Sequence, residues 1–322
     1  MSQKKDLKFG VAIPQVFLNG KADMDLVKNS IRTAEDLGYH SMWVQDQVHG
    51  YVPLQESVSL LCYAAAVSSK VKLGVSVIVF PVRNPVHLAK SLSTLDQMSN
   101  GRLILGIGLG PPSGSEDFYL AFGTSYKERV RRFNENLKIL KSLWTEDKTN
   151  IEGEWATLHN ISMEPKPIQK PHPPIWIGGQ HPNALRRAVK YGDGFASAGP
   201  TSTENYKKHV TLVRQYMEEE GRDPATFTIS KRVYLAVDDD EDRAKSRLDD
   251  WFNKRYSWMV KHRPKMVEQS CVWGSTARVT EGLADILSGG AEMLILNPLW
   301  DYMEQMEALA SEVIPQLRSN VP

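Results

Sequence analysis

The chain has 322 residues, and its 39 lysines and arginines against 38 aspartates and glutamates leave a formal net charge of +1. That balance, with no basic run, argues against a nucleic-acid or acidic-membrane partner, and no apolar stretch reaches the roughly 18 residues of a membrane span. The two cysteines, Cys62 and Cys271, lie far apart in apolar contexts and read as buried free thiols, and the polar opening MSQKKDLK lacks the apolar core of a signal peptide, so a cytoplasmic protein is expected.

Lys8 to Pro14 (KFGVAIP) predicts a strand ending at a proline. Asp23 to Leu37 predicts a helix with Val27, Ile31 and Ala34 on its buried face and Gly38 as its stop. His40 to Gln45 (HSMWVQ) is the next strand, running into Asp46-Gln47, and Gln55 to Ser68 the next helix. Val71 to Phe80 is rich in β-branched residues and apolar on both faces, which suits a parallel strand covered on each side. Pro81 and Pro85 end it. Leu88, Leu92 and Leu95 then share one face of a helix that Ser99-Asn100-Gly101 closes. Leu103 to Ile107 is a fourth strand, and so short a crossover makes it a parallel, right-handed neighbour of the third.

This strand leaves through Gly106, Gly108 and Gly110 into Pro111-Pro112. A dinucleotide fingerprint needs G-x-G-x-x-G opening a helix, so G-x-G-x-G before prolines is not a Rossmann site. Either the small residues let the strand pack tightly or the backbone approaches a flat ligand. A loop to Thr124 follows, then an amphipathic helix from Tyr126 to Trp144 with Val130, Phe133, Leu137 and Leu140 in register. Residues 145–173, proline-rich with short alternating runs, read as a surface insertion of antiparallel strands.

Alternation resumes with strands Pro174 to Gly178, Gly194 to Ala198, Phe227 to Val237 and Glu292 to Asn297. Between and after them come helices Asn183 to Tyr191, Glu204 to Glu220, an acidic-headed helical region through Trp258, Ser275 to Leu287 and Asp301 to Leu317. Eight strands, each followed by a helix, predict an α/β chain folded as one (β/α)8 TIM barrel over residues 1–322, with the insertion after the fourth strand-helix unit. In this fold the active site sits at the C-terminal strand ends.

Those ends carry no paired histidines for a metal and no lysine for a Schiff base, which argues against metal-dependent hydrolysis and aldolase chemistry. They offer Asp46, Gln47 and His49 after strand two, Arg83 and Asn84 after strand three, and Glu116 and Asp117 after strand four. After strand five, Gly178-Gly179-Gln180-His181 precedes a helix. That arrangement suits either a phosphate on free backbone N–H groups or a plain tight turn with Pro182 in the first helical turn.

The segments HSMWVQD, VKLGVSVIVFPVRNPVHLAKSLSTLDQMSNGRLILGIGLG, EPKPIQKPHPPIWIGG and YGDGFASAGP resemble, in order and spacing, the bacterial luciferase-like family of oxidoreductases. The resemblance implies a (β/α)8 barrel with an insertion that binds coenzyme F420 or reduced flavin mononucleotide (FMN) in its mouth, often as a homodimer. Asp46 matches the aspartate that contacts the deazaflavin near its reactive ring. Ser76-Val77 matches a non-prolyl cis peptide that bulges behind the ring, and Gly178 and Gly179, with Gln180 beside them, match the phosphate turn. Val79 and Gly108 would line the ring pocket, with Trp43 and Gln47 shaping it.

There are two departures. Many deazaflavin-dependent members carry a histidine where this chain has Gln47, and some, including a sugar-phosphate dehydrogenase, carry a glutamate where it has Pro111. Both argue against sugar dehydrogenation, and leave His49 and Glu116 as nearby ionisable groups. The implied function is hydride transfer between F420 and a small organic substrate. The alternatives are an FMN monooxygenase served by a separate cofactor-reducing enzyme, and a barrel that binds ligand without turnover.

Overall fold

The structure, a computed structural model, describes residues 7–50, 52–111 and 114–320. The first six residues of the polar opening and the second proline after Gly110 therefore lie outside the described residues. The strands are β1 (Lys8–Ala12), β2 (Ser41–Val44), β3 (Lys72–Val79), β4 (Leu103–Gly108), β5 (Thr149–Glu152), β6 (Thr157–Ile161), β7 (Ile175–Gly178), β8 (Gly194–Ser197), β9 (Thr228–Val237), β10 (Cys271–Gly274) and β11 (Met293–Pro298). Eight of them, β1-β2-β3-β4-β7-β8-β9-β11, pair in parallel and close on themselves through β11–β1 and β8–β9. This is the expected (β/α)8 barrel.

The helices start where side chains satisfy their first N–H groups. The Asp23 carboxylate accepts from Leu26 N–H ahead of Met24–Asp36, and Asn84 accepts from Val86 and His87 ahead of Pro85–Met98. Within residues 145–173, β5 and β6 form an antiparallel pair.

Three features depart from the sequence reading. β10 extends the sheet beside the C-terminal half of β9, pairing Cys271 with Tyr234 through Gly274 with Val237. Its four residues are too short a run to stand out by periodicity. The loop after β4 contains a one-turn helix, Glu116–Leu120, whose Tyr119 hydroxyl donates to the Leu109 and Pro111 carbonyls. The long helix Glu241–His262 breaks at Tyr256, where φ is −128° and ψ 39°.

Outward strand residues such as Val11, Leu73, Leu105 and Leu294 pack under the helices in the main apolar core. The barrel interior holds a separate cluster of Trp43, Ile104, Trp176, Ala196, Met293 and Ile295. Trp43 and Trp176 stack with centroids 5.1 Å apart and planes at 27°. Glycine at Gly10 and Gly74 is what admits the Trp43 indole, since a Cβ on either would collide with it. Trp43 is fully buried and donates to the Ser41 hydroxyl, so it belongs to the barrel's filling beneath the mouth.

Candidate active site

The mouth of the barrel has two unlike halves, set by which inward positions are small. On β4, β7 and β8 the inward residues near the strand ends are Gly106, Gly108, Gly178 and Ala196. Into that room comes Val77. The Ser76-Val77 peptide is cis and the β3–β4 register shifts between Val75 and Ile78, as the resemblance implied. A Cβ on Gly108 would lie 2.6 Å from the Val77 Cγ2, and one on Gly178 3.2 Å from its Cγ1. A Cβ on Gly106 would likewise lie 2.1 Å from the Val75 carbonyl oxygen, so tight packing accounts for Gly106 and Gly108 of the G-x-G-x-G run. The surface they leave, a valine bulge among residues without side chains, is low and apolar.

Asp46 sits behind this bulge. Its side chain is 1% exposed and every contact is a donor: Arg83 Nη2 at 2.6 Å, the Ser57 hydroxyl at 3.1 Å and the Val79 N–H at 2.9 Å. The carboxylate thereby ties the end of β2 to the end of β3 and to the start of the helix Ser57–Val67. Nearby, the buried Gln15 amide donates to the Gln45 and Gln55 carbonyls and accepts from the Gln45 N–H, fixing the loop after β1 to the same corner.

Val79 thus meets Asp46 directly, and Ser76-Val77 meets Gly108 and Gly178. Gln47, half-buried, folds back over Gly50. His49 is exposed and joins the segment after β4 by its ring, 4.7 Å from that of Phe118 and 5.6 Å from that of Phe122. Glu116 is exposed in the first turn of its short helix and is not among the partners of Asp46.

At the end of β7, a Cβ on Gly179 would run into Ala184. The N–H groups of Gly179, Gln180 and His181 have no acceptor among the described residues, while the Gln180 amide donates to the Thr201 hydroxyl at 3.0 Å. His181 caps the helix Pro182–Tyr191 by accepting from Asn183 N–H. Free N–H groups at a helix start favour an anion by hydrogen bonding and by the dipole.

The other half of the mouth is polar and was not legible as a site. Arg232 and Tyr234 point inward from β9, opposite Ile295 and Asn297 of β11. Arg232 reaches across the barrel to donate to the Val44 carbonyl of β2 at 3.2 Å. Gln45 Oε1 accepts from the Tyr234 hydroxyl at 3.4 Å, the Tyr256 hydroxyl at 3.3 Å and Arg255 Nη2 at 3.4 Å. Burial keeps the Tyr234 hydroxyl protonated, well above its ordinary pKa. Lys231, on the opposite face of β9, donates to the Ala198, Gly199 and Arg232 carbonyls, and burial draws its pKa down to about 7. The available signal was Lys231-Arg232 inside an otherwise apolar strand, since fully buried cations are rare.

Among the described residues no group of three His, Cys, Asp or Glu could hold a metal, and no helix is long and apolar enough to cross a membrane. A solvent-open depression bordered by Lys8, Arg214, Thr228 and Glu292 lies at the strand starts, the end that serves stability in barrel enzymes.

A glucose-6-phosphate dehydrogenase of Kineococcus radiotolerans described as F420-dependent is 29% identical over 226 residues, 68% of this chain and 66% of its own, so the match spans just under two thirds of that relative. The enzyme of the same description from Amycolatopsis mediterranei is 26% identical over 320 residues, 92% of this chain and 95% of its own. In fold, a solved F420-dependent secondary alcohol dehydrogenase, in complex with an F420-acetone adduct, superposes with a TM-score of 0.81 at 20% identity, covering 97% of this chain and 99% of its own. The family described as Luciferase-like monooxygenase matches residues 7–293. With that match running from the first barrel strand to the last, the chain belongs to the luciferase-like family.

Proposed function

We propose that the protein is an oxidoreductase that binds coenzyme F420 in the barrel mouth and passes a hydride between it and a small organic substrate. The observation that carries this reading is the small-residue half of the mouth. Val77 over Gly108 and Gly178 makes a low apolar face that suits a flat ring, and the free N–H groups of Gly179 to His181 lie beside it for a phosphate. Two relatives described as F420-dependent favour the deazaflavin. When bound, the coenzyme supplies the redox chemistry.

The chain's own residues then have distinct tasks. Val77, with Gly108 and Gly178 leaving the space beside it free of side chains, would hold the coenzyme's flat ring. Asp46 is a positioning residue that acts through the Val79 N–H and Arg83 to hold the bulge. Gln47, and His49 with the aromatic pair Phe118 and Phe122, would close over the mouth and limit water at the reacting face.

FMN is the competing occupant, since the family's description is that of a monooxygenase. Titrating the full chain with F420 and with FMN, oxidised and reduced, while following tryptophan fluorescence, decides between them. Tight binding of F420 alone supports the proposal. A preference for reduced FMN overturns it in favour of oxygen chemistry, and binding of neither overturns both.

A further inference from the structure

Among the described residues, the polar half of the mouth contains two buried guanidiniums and no acid paired with either. Arg232 is 2% exposed and Arg255 8%, and neither forms an ion pair among the described residues. Each bears buried nitrogens without a partner: Nε of Arg232, and Nε and Nη1 of Arg255. A buried cation is ordinarily paired, because an isolated charge away from water is strongly disfavoured. The contacts these groups do make are few. Arg232 has the Val44 carbonyl and the Tyr234 hydroxyl, and Arg255 has the Tyr256 hydroxyl and shares Gln45 Oε1 with two tyrosine hydroxyls at 3.3–3.4 Å, lengths at which none of those three is a strong bond. The rings of Trp251 and Tyr256, 5.6 and 5.0 Å from the Arg255 guanidinium, hold it in place without neutralising it.

We propose that Arg232 and Arg255 form a recessed oxyanion site that binds a carboxylate of the substrate, opposite the ring-binding half of the mouth. The assignment rests on the oxidoreductase reading above, and it narrows the substrate to a small organic acid. Three unpaired guanidinium nitrogens match a carboxylate, whose two oxygens take about four hydrogen bonds, better than they match a phosphate dianion with a third oxygen to satisfy. Arg232 is anchored by the barrel and Arg255 stands immediately before the break at Tyr256, so the two come from separate elements and both reach the corner held by Val44 and Gln45.

The test uses the full chain, with benzoate as the probe, benzamide as its uncharged counterpart and inorganic phosphate as the competing anion. Binding is followed by calorimetry in the absence of F420, so it does not depend on the coenzyme. Benzoate is expected to bind and to weaken as salt is raised. Arg255→Gln is expected to weaken it about tenfold or more, the usual effect of losing a charged hydrogen bond. Arg255→Lys restores part of the loss if charge is what matters. Arg232 is buried in the barrel and its replacement risks the fold, so Arg255 carries the test.

Equal binding of benzamide, unaltered binding by Arg255→Gln, or tighter binding of phosphate than of benzoate each overturns the carboxylate site. F420 is then titrated into Arg255→Gln. Unchanged F420 affinity beside lost benzoate affinity supports a substrate acid. A parallel loss of both assigns the guanidiniums to the coenzyme and overturns the proposal. Failure of F420 to bind the unaltered chain, with benzoate still bound, overturns the oxidoreductase reading alone.

Discussion

Replacing Asp46 by asparagine changes two atoms' chemistry and little volume, and the structure says how much that removes. The carboxylate is 1% exposed and holds three donors, one of them the Arg83 guanidinium at 2.6 Å. Removing one member of a buried ion pair costs about 3–5 kcal/mol. Arg83 is 20% exposed and has Glu56 at 3.5 Å as a second partner, so about 2–3 kcal/mol is the fitting figure here. For a chain of this length that lowers the thermal midpoint by about 3–4 °C, read at one scan rate because large barrels often unfold irreversibly. The companion measurement is a cycle with Arg83→Gln: the double variant should lose less than the two single losses together, by about 1–2 kcal/mol. F420 affinity should fall with stability, since the same bonds hold the Val77 bulge. An unchanged midpoint with lost turnover would refute the positioning role and return Asp46 to direct chemistry at the ring.

Three further outcomes follow from named contacts. Gly179→Asp should abolish tight F420 binding and Gly179→Ala should already weaken it, because any Cβ meets Ala184 at the turn and the carboxylate adds repulsion; calorimetry showing equal affinities removes this turn from the phosphate site. Burial pushes the Cys271 thiol up to about 12 and also raises the half-buried Cys62, so Ellman's reagent should label Cys62 first in the native protein and Cys271 only on unfolding, with Cys62→Ser isolating the second. For Glu35, burial alone would raise the carboxyl, but hydrogen bonds from the Lys70, Val71 and Ser69 N–H groups and the Ser69 hydroxyl outweigh it and draw its pKa down to about 2. A carboxyl depressed on folding stabilises the protein above its unfolded pKa and ceases to do so as pH falls toward 2. Glu35→Gln should therefore lower the thermal midpoint at pH 7 and converge with the parent in acid.

The barrel was legible because its signals are long and local. Strand followed by helix recurs eight times, marked by β-branched runs buried on both faces, by helical registers such as Leu88, Leu92 and Leu95, and by glycine stops such as Gly38 and Gly192, and no other architecture absorbs that alternation. β10 escaped because four residues beside an existing strand carry no period of their own. The apolar half of the mouth was readable through glycines and through the family's shared segments. The polar half was not, for a physical reason. Arg232, Gln45 and Arg255 lie at separations in sequence that no spacing rule links, and only closure of the barrel brings β9 across to β2. Glycine patterns had an ambiguous meaning for a similar reason. Gly106 and Gly108 are small because the Val75 carbonyl and the Val77 side chain, some thirty residues earlier, project into them.

The stacked indoles at the centre of the barrel make its packing visible to light. Two tryptophan transitions held 5.1 Å apart at a fixed angle couple strongly and give the native protein a near-ultraviolet circular dichroism that separated indoles lack. Because one ring comes from β2 and the other from β7, the signal exists only while both sides of the barrel are closed on each other. A state that keeps its helices but loses this packing would retain its far-ultraviolet spectrum and darken in the near-ultraviolet, so loosening of the interior can be followed separately from loss of the helical shell.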